Sequence, residues 1–200
     1  TRGLTMQNKS KTVYTNLMWR LLERFGAQGV TLVVSLILAR LLDPEAYGTV
    51  ALITIFTAVL NVFVDSGLAN ALIQKKNTDD VDFSSVFYFN VLICCLLYII
   101  MFVSAPAISR FYNKPEIVPM IRVLSLTLII SGIKNVQQAY VSKNMMFKKF
   151  FFSTLGGTLA ASIIGIALAI LGKGAWALII QNITNLLMDT IILWLTVKWR

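Results

Sequence analysis

Six stretches of mostly apolar residues, separated by short polar turns, constrain this chain more than any other feature. They fall at approximately 16–41, 47–73, 84–108, 118–138, 151–171 and 175–197. A helix needs roughly 20 residues to cross the hydrocarbon layer of a bilayer. Backbone groups in lipid must be satisfied within their own segment, which a helix achieves unaided. Composition closes off the soluble alternatives. Of the 200 residues, 57% are hydrophobic and 14% charged, with a mean hydropathy of +0.75; ordinary soluble domains run at roughly 45–50% and about 25%. Folding in water would bury only about 70% of the surface of such a chain, too little to hide that much apolar area. Disordered and disulfide-scaffold classes fall on the same numbers.

The connections carry turn residues, Asp43-Pro44-Glu45 between the first pair of stretches and Gly172-Lys173-Gly174 between the last. Their shortness predicts antiparallel neighbours. The expected fold is all-α: a polytopic membrane helix bundle of six transmembrane helices in up-down topology. A terminal segment, 1–15, precedes a six-helix lobe, 16–200. Met6 is the expected natural start, and the end at Lys198-Trp199-Arg200, directly after a span, reads as a truncation.

The net charge of +9 would suggest nucleic acid in a soluble protein, but its placement marks topology instead. Arg2, Lys9, Lys11, Lys75, Lys76, Lys143, Lys148, Lys149, Lys198 and Arg200 fall on one side of the bundle. Arg40, Arg110, Lys114 and Lys173 fall on the other. Both termini are therefore expected in the cytoplasm, with membrane lipids as partners and no nucleic acid. Cys94 and Cys95 are adjacent on a helix, pointing about 100° apart, so they should not pair with each other. Histidine is absent, and with it the commonest general base and metal ligand.

Polar residues inside the spans carry the functional signal, because each is costly in hydrocarbon. Arg20, Arg24, Gln28, Thr31 and Ser35 share an arc of about 80° on the first helix. Thr54, Thr57, Asn61 and Asp65 line the second, Thr127, Ser131, Lys134 and Gln138 the fourth, and Gln181, Asn185 and Asp189 the sixth. The third span shows no such edge. Single hydroxyls in membrane helices commonly serve as helix–helix glue; four long stripes with full charges favour a shared polar cavity. Its candidate substrate-binding residues are Arg20, Arg24, Gln28, Asn61, Asp65, Lys134, Gln181, Asn185 and Asp189. The charges sit toward the terminal ends of the spans and the deeper parts are neutral, the pattern of a vestibule charged at its mouth. Arg20, Arg24 and Lys134 balance Glu23, Asp65 and Asp189, so internal ion pairing competes with cargo binding. On the fifth span, Gly157, Ala161, Gly165 and Ala169 repeat every four residues and predict close helix packing.

Several strings, in order and spacing, resemble one family. They are Leu38-Ala39-Arg40-Leu41-Leu42-Asp43-Pro44-Glu45-Ala46-Tyr47-Gly48, Asp65-Ser66-Gly67-Leu68 with Ala71-Leu72-Ile73-Gln74-Lys75-Lys76, Arg122-Val123-Leu124-Ser125-Leu126, and Gly174-Ala175-Trp176-Ala177-Leu178. Trp19, Glu23-Arg24 and Gln28-Gly29 fit the same pattern. From about residue 13 onward the chain resembles the bacterial polysaccharide (oligosaccharide) flippases, closest to the lipopolysaccharide, O-unit and colanic-acid exporter branch of the multidrug/oligosaccharidyl-lipid/polysaccharide exporter superfamily. The resemblance implies the N-terminal lobe of a two-lobed transporter, the C-terminal lobe of the same protein being its missing partner. The cargo would be a polyprenyl-diphosphate-linked oligosaccharide, moved across the bacterial cytoplasmic membrane by alternating access. It maps the basic cavity residues onto Arg20, Arg24 and Arg40. A guanidinium offers a diphosphate two parallel donors.

Three other functions compete. An ion-coupled multidrug exporter of the same superfamily would use Asp65 or Asp189 as its cation site. A membrane-embedded glycosyl- or acyltransferase lacks support: there is no histidine, Gly-rich phosphate loop or carboxylate pair at catalytic spacing, and Asp79, Asp80 and Asp82 read as a turn capping the third span. A non-transporting scaffold is the third. The chain is thus expected to be no enzyme, with no metal and no cofactor beyond a coupling ion, Na+ or H+.

Overall fold

The structure, a computed structural model, describes the backbone of residues 2–64 and 80–197 and the side chains of 18–64 and 81–197. Among the described residues, seven helices make six crossings: α1 (Arg2–Leu41), α2 (Pro44–Val64), α3 (Asp80–Phe111), α4 (Ile117–Leu124), α5 (Leu126–Lys143), α6 (Phe147–Ile170) and α7 (Ala175–Thr196). Six described segments are long and apolar enough to cross a bilayer, α4 and α5 together forming one of them. Asp65, the connection holding Lys75 and Lys76, Asp79, and the terminal Lys198 and Arg200 lie outside the described residues, as do the side chains of Arg2, Lys9 and Lys11.

Two boundaries differ from the sequence expectation. The helix of the first span already begins at Arg2, so the terminal segment is continuous with it. The fourth span is not one helix. Ser125, fully buried, turns its hydroxyl back onto the Ile121 carbonyl at 2.6 Å, and Thr127 does the same to Leu124 at 2.6 Å. Hydroxyls that bond the preceding turn compete with the helical ladder there. The ladder tightens between α4 and α5: Ser125 N–H still reaches the Ile121 carbonyl at 2.9 Å, but Leu128 N–H takes the Ser125 carbonyl, three residues back, at 3.0 Å.

Chain reversals follow from local chemistry. Pro44 opens α2, where its missing N–H costs nothing, and Glu45 follows at the positive end of the helix dipole. α6 ends where Gly172 takes φ +69°, letting Lys173 N–H reach the Leu168 carbonyl (3.1 Å) and Gly172 N–H the Ala169 carbonyl (3.0 Å). A residue with a side chain is strained at that φ, which is why glycine sits there. At the same end of the bundle Lys114 donates to Glu45 across 2.6 Å, tying two turns together. The Glu45 carboxylate holds the Lys114 ammonium above the usual lysine range.

α7 is the hub. It packs most extensively on α6 and also touches α2, α4 and α5, while α3 lies against α4 and α5. α1 packs along α6 through Trp19, which meets Phe151 edge-on at 5.3 Å, and through Val34 and Leu38, which join Ala169 and Ala177 in one apolar cluster. The anticipated small-residue face of α6 is buried throughout, at Gly157, Ala161, Gly165 and Ala169. A β-carbon on Gly157 would lie 2.8 Å from the Asn185 carbonyl oxygen. The third span, which has no polar stripe in sequence, carries an internal polar contact: buried Asn90 donates to the Gly132 carbonyl at 3.2 Å, beside Cys94. Cys94 and Cys95 are not joined in a disulfide.

Candidate functional site

The polar stripes of α2, α5 and α7 face one another. Thr54, Thr57 and Asn61 of α2, Thr127, Ser131, Lys134 and Gln138 of α5, and Asn185 and Asp189 of α7 line a cavity of about 560 Å³. Small-molecule sites span roughly 300–1,000 Å³. Three further polar groups, Asn135, Thr154 and Asn182, share its wall. The sequence reading passed over them, although Asn182 stands one turn before Asn185 and was there to be found.

A second cavity, about 590 Å³, lies between α1 and α2 with α6 and α7 behind it. Its walls are more apolar, including Val50, Ala51, Ile55, Ala161 and Leu178, together with Thr31, Gln181 and the ring of Tyr47. The Tyr47 hydroxyl is buried without a hydrogen-bond partner among the described residues. Thr54, Ala58, Asn182 and Asn185 belong to both cavities, which therefore adjoin.

Charge is concentrated at one end. Lys134 Nζ meets Asp189 Oδ2 at 2.5 Å, with the side chains 14% and 7% exposed. Among the described residues these are the charged groups on the first cavity's wall, and they neutralise each other. Asp189 Oδ1 is buried with no hydrogen-bond partner among the described residues. Nearby on α1, Arg20 holds Glu23 at 3.2 Å, and its guanidinium stands 5.3 Å from the rings of Phe147 and Phe150. Glu23 lies within electrostatic reach of Arg24 and Asp189. Internal pairing, weighed against cargo binding from sequence, thus accounts for Arg20, Glu23, Lys134 and Asp189. Deeper positions such as Thr54, Ser131 and Asn182 are neutral.

Of the named candidates, the first cavity brings together Asn61, Lys134, Asn185 and Asp189, and the second takes Gln181. Arg20, Arg24 and Gln28 line neither, and Arg24 and Gln28 are exposed. The residues by which α1 grips α6 (Trp19, Gly26, Val30, Val34, Leu38) centre roughly 110° around the helix from the polar stripe, so the stripe is turned aside. Thr31 alone of that stripe reaches a cavity. Asp65 lies outside the described residues. Among those residues, no cluster of three metal-ligating side chains occurs.

The hydroxyls and amides on these walls behave differently. Thr54 and Thr57 donate to Val50 and Thr54 carbonyls of their own helix at 2.7 and 3.1 Å. Asn135 reaches the Val64 carbonyl at 3.5 Å, bridging α5 and α2. By contrast, the side chains of Asn61, Gln138, Asn182 and Asn185 make no hydrogen bond to another described residue. Helix–helix glue explains the first group and not the second.

A family profile described as "Polysaccharide biosynthesis protein" matches residues 37–200. The succinoglycan biosynthesis transport protein ExoT of Rhizobium meliloti (strain 1021) is 28% identical over 185 residues, 92% of this chain and 37% of that protein. The lipopolysaccharide biosynthesis protein WzxC of Escherichia coli (strain K12) is 23% identical over 185 residues, again 92% and 37%. The teichuronic acid biosynthesis protein TuaB of Bacillus subtilis (strain 168) is 29% identical over 91 residues, 46% of this chain and 19% of that protein. The chain spans little more than a third of the length of the first two. No solved structure matches it.

Proposed function

The chain belongs to the polysaccharide biosynthesis protein family and is a multi-pass protein of the bacterial cytoplasmic membrane; from that premise we propose that it forms one lobe of a transporter. The transporter carries a polyprenyl-diphosphate-linked oligosaccharide from the cytoplasmic to the outer leaflet by alternating access. A second lobe of the same protein completes it, and a Na+ or H+ gradient drives it. The observation that carries this reading is the cleft of amides and hydroxyls at membrane depth, lined by α2, α5 and α7. Lipid-facing helices have no use for such a surface, whereas a cargo with a polar head and an apolar tail needs one. The work is transport rather than catalysis. Two relatives whose matches take in 92% of this chain carry transport or lipopolysaccharide biosynthesis in their names.

Arg24 is the candidate for the cargo's diphosphate. It forms no contact ion pair among the described residues, whereas Arg20 is held by Glu23. Deleting the full-length gene should remove surface polysaccharide, and the wild-type gene should restore it. Arg24→Ala, expressed at the wild-type level, should fail to restore it. Normal polysaccharide in that variant would take Arg24 off the cargo path, and normal polysaccharide in the deletion strain would end the transport reading.

A further inference from the structure

We propose that the first cavity receives the sugar portion of the cargo through its hydroxyl groups, and that the diphosphate binds elsewhere; the proposal rests on the transport reading above. Four amide side chains stand on its wall without a hydrogen bond to any other described residue: Asn61 on α2, Gln138 on α5, and Asn182 and Asn185 on α7. Each amide offers two N–H donors and two acceptor lone pairs. Asn61, Gln138 and Asn185 are half-buried and Asn182 is exposed, so these amides stand open to a ligand, and their natural counterparts are groups that both donate and accept. A sugar hydroxyl does both. A diphosphate only accepts, and it brings negative charge.

The electrostatics point the same way. Among the described residues Lys134 is the cation on the wall, and Asp189 already holds it in a contact pair at 2.5 Å. A diphosphate entering here would find its one cation engaged and a carboxylate beside it. With the wall charge summing to zero, the cavity favours a neutral, hydroxyl-rich ligand. The buried, unpartnered Oδ1 of Asp189, a residue 5% exposed, adds an acceptor of the kind that sugar hydroxyls satisfy.

The test uses the full-length protein in lipid nanodiscs and two probes. One is an oligosaccharide mixture hydrolysed from the source bacterium's own surface polysaccharide, free of lipid and phosphate. The other is a polyprenyl diphosphate carrying no sugar. Affinities are measured by titration calorimetry for wild type, Asn61→Leu and Asn182→Leu. Leucine keeps most of the volume of asparagine and removes its hydrogen bonding. Each variant should weaken oligosaccharide binding by about tenfold and leave the affinity for polyprenyl diphosphate unchanged.

Unchanged oligosaccharide binding in both variants overturns the proposal. So does a parallel loss of polyprenyl diphosphate binding, or a wild-type protein that binds polyprenyl diphosphate and no oligosaccharide. The two variants lie on different helices, so one that folds suffices to decide. If neither folds, the amides hold helices together and the proposal fails. Failure of the transport reading is a separate result, seen as persistence of polysaccharide in the deletion strain.

Discussion

Lys134 and Asp189 are two charges inside a membrane domain, and each is tolerable because of the other. Removing one partner from a buried pair leaves an uncompensated charge, which typically costs about 3–5 kcal/mol. Lys134→Ala and Asp189→Ala should each lower the thermal unfolding temperature of the purified protein sharply. The double variant should recover much of the loss; additive losses would mean that the pair does not act as a unit. Tyr47 presents the opposite case. Its buried hydroxyl has no partner among the described residues, so Tyr47→Phe should leave the unfolding temperature unchanged or raise it, and a marked drop would reveal a bond that the geometry does not contain. Both charges of the central pair were legible as stripe members, since spacing along a helix fixes which face a residue occupies. Their pairing was not legible, because spacing within one helix says nothing about which helix lies opposite. Asn182 was lost for a narrower reason. The i, i+4 step from Gln181 to Asn185 absorbed the pattern and hid the i, i+3 step from Asn182.

Among the described helices, the α6–α7 seam is the most extensive contact, and glycine lets it close. At Gly157 a methyl group would meet backbone, the Asn185 carbonyl oxygen at 2.8 Å. Forcing atoms into a packed seam costs typically about 1–3 kcal/mol, so Gly157→Ala should lower the unfolding temperature. Gly29 on α1 has nothing within 4 Å of such a methyl group. Alanine is favoured over glycine in a helix by about 0.8–1.0 kcal/mol, and Gly29→Ala should therefore stabilise. Equal effects at the two positions would contradict the seam. The repeat of small residues on α6 announced this contact in advance, because close approach of two helices requires small side chains wherever it occurs. The tightened turn at Ser125 gave no such notice. Serine is common in membrane helices, and whether its hydroxyl turns back on the preceding carbonyl depends on tertiary surroundings. The turning aside of Arg20, Arg24 and Gln28 was hidden for a related reason. The face that α1 presents to α6 is chosen by α6, more than a hundred residues away.

For the molecule as a whole, we propose from the unequal distribution of Lys and Arg that the turns at Lys114 and Lys173 lie outside and the turn at Asn144 inside the cell. In a Cys94→Ala/Cys95→Ala background, a membrane-impermeant maleimide should label Lys173→Cys on intact cells. It should label Asn144→Cys only after permeabilisation, and the reverse pattern would invert the topology. One feature of the fold also bears on how the molecule is made. α1 and α2 are joined by a short turn, yet α1 packs far more extensively on α6 than on its neighbour in sequence, which joins it in the cluster around Ala46. Ribosomes extend chains at roughly 5–20 residues per second, so on the order of ten seconds separate the emergence of α1 from that of its partner. During that interval Val34 and Leu38 lack the part of their cluster that Ala169 and Ala177 supply. A chaperone of the insertion machinery would find its longest-lived client surface on α1, and premature release there would be the step at which synthesis fails.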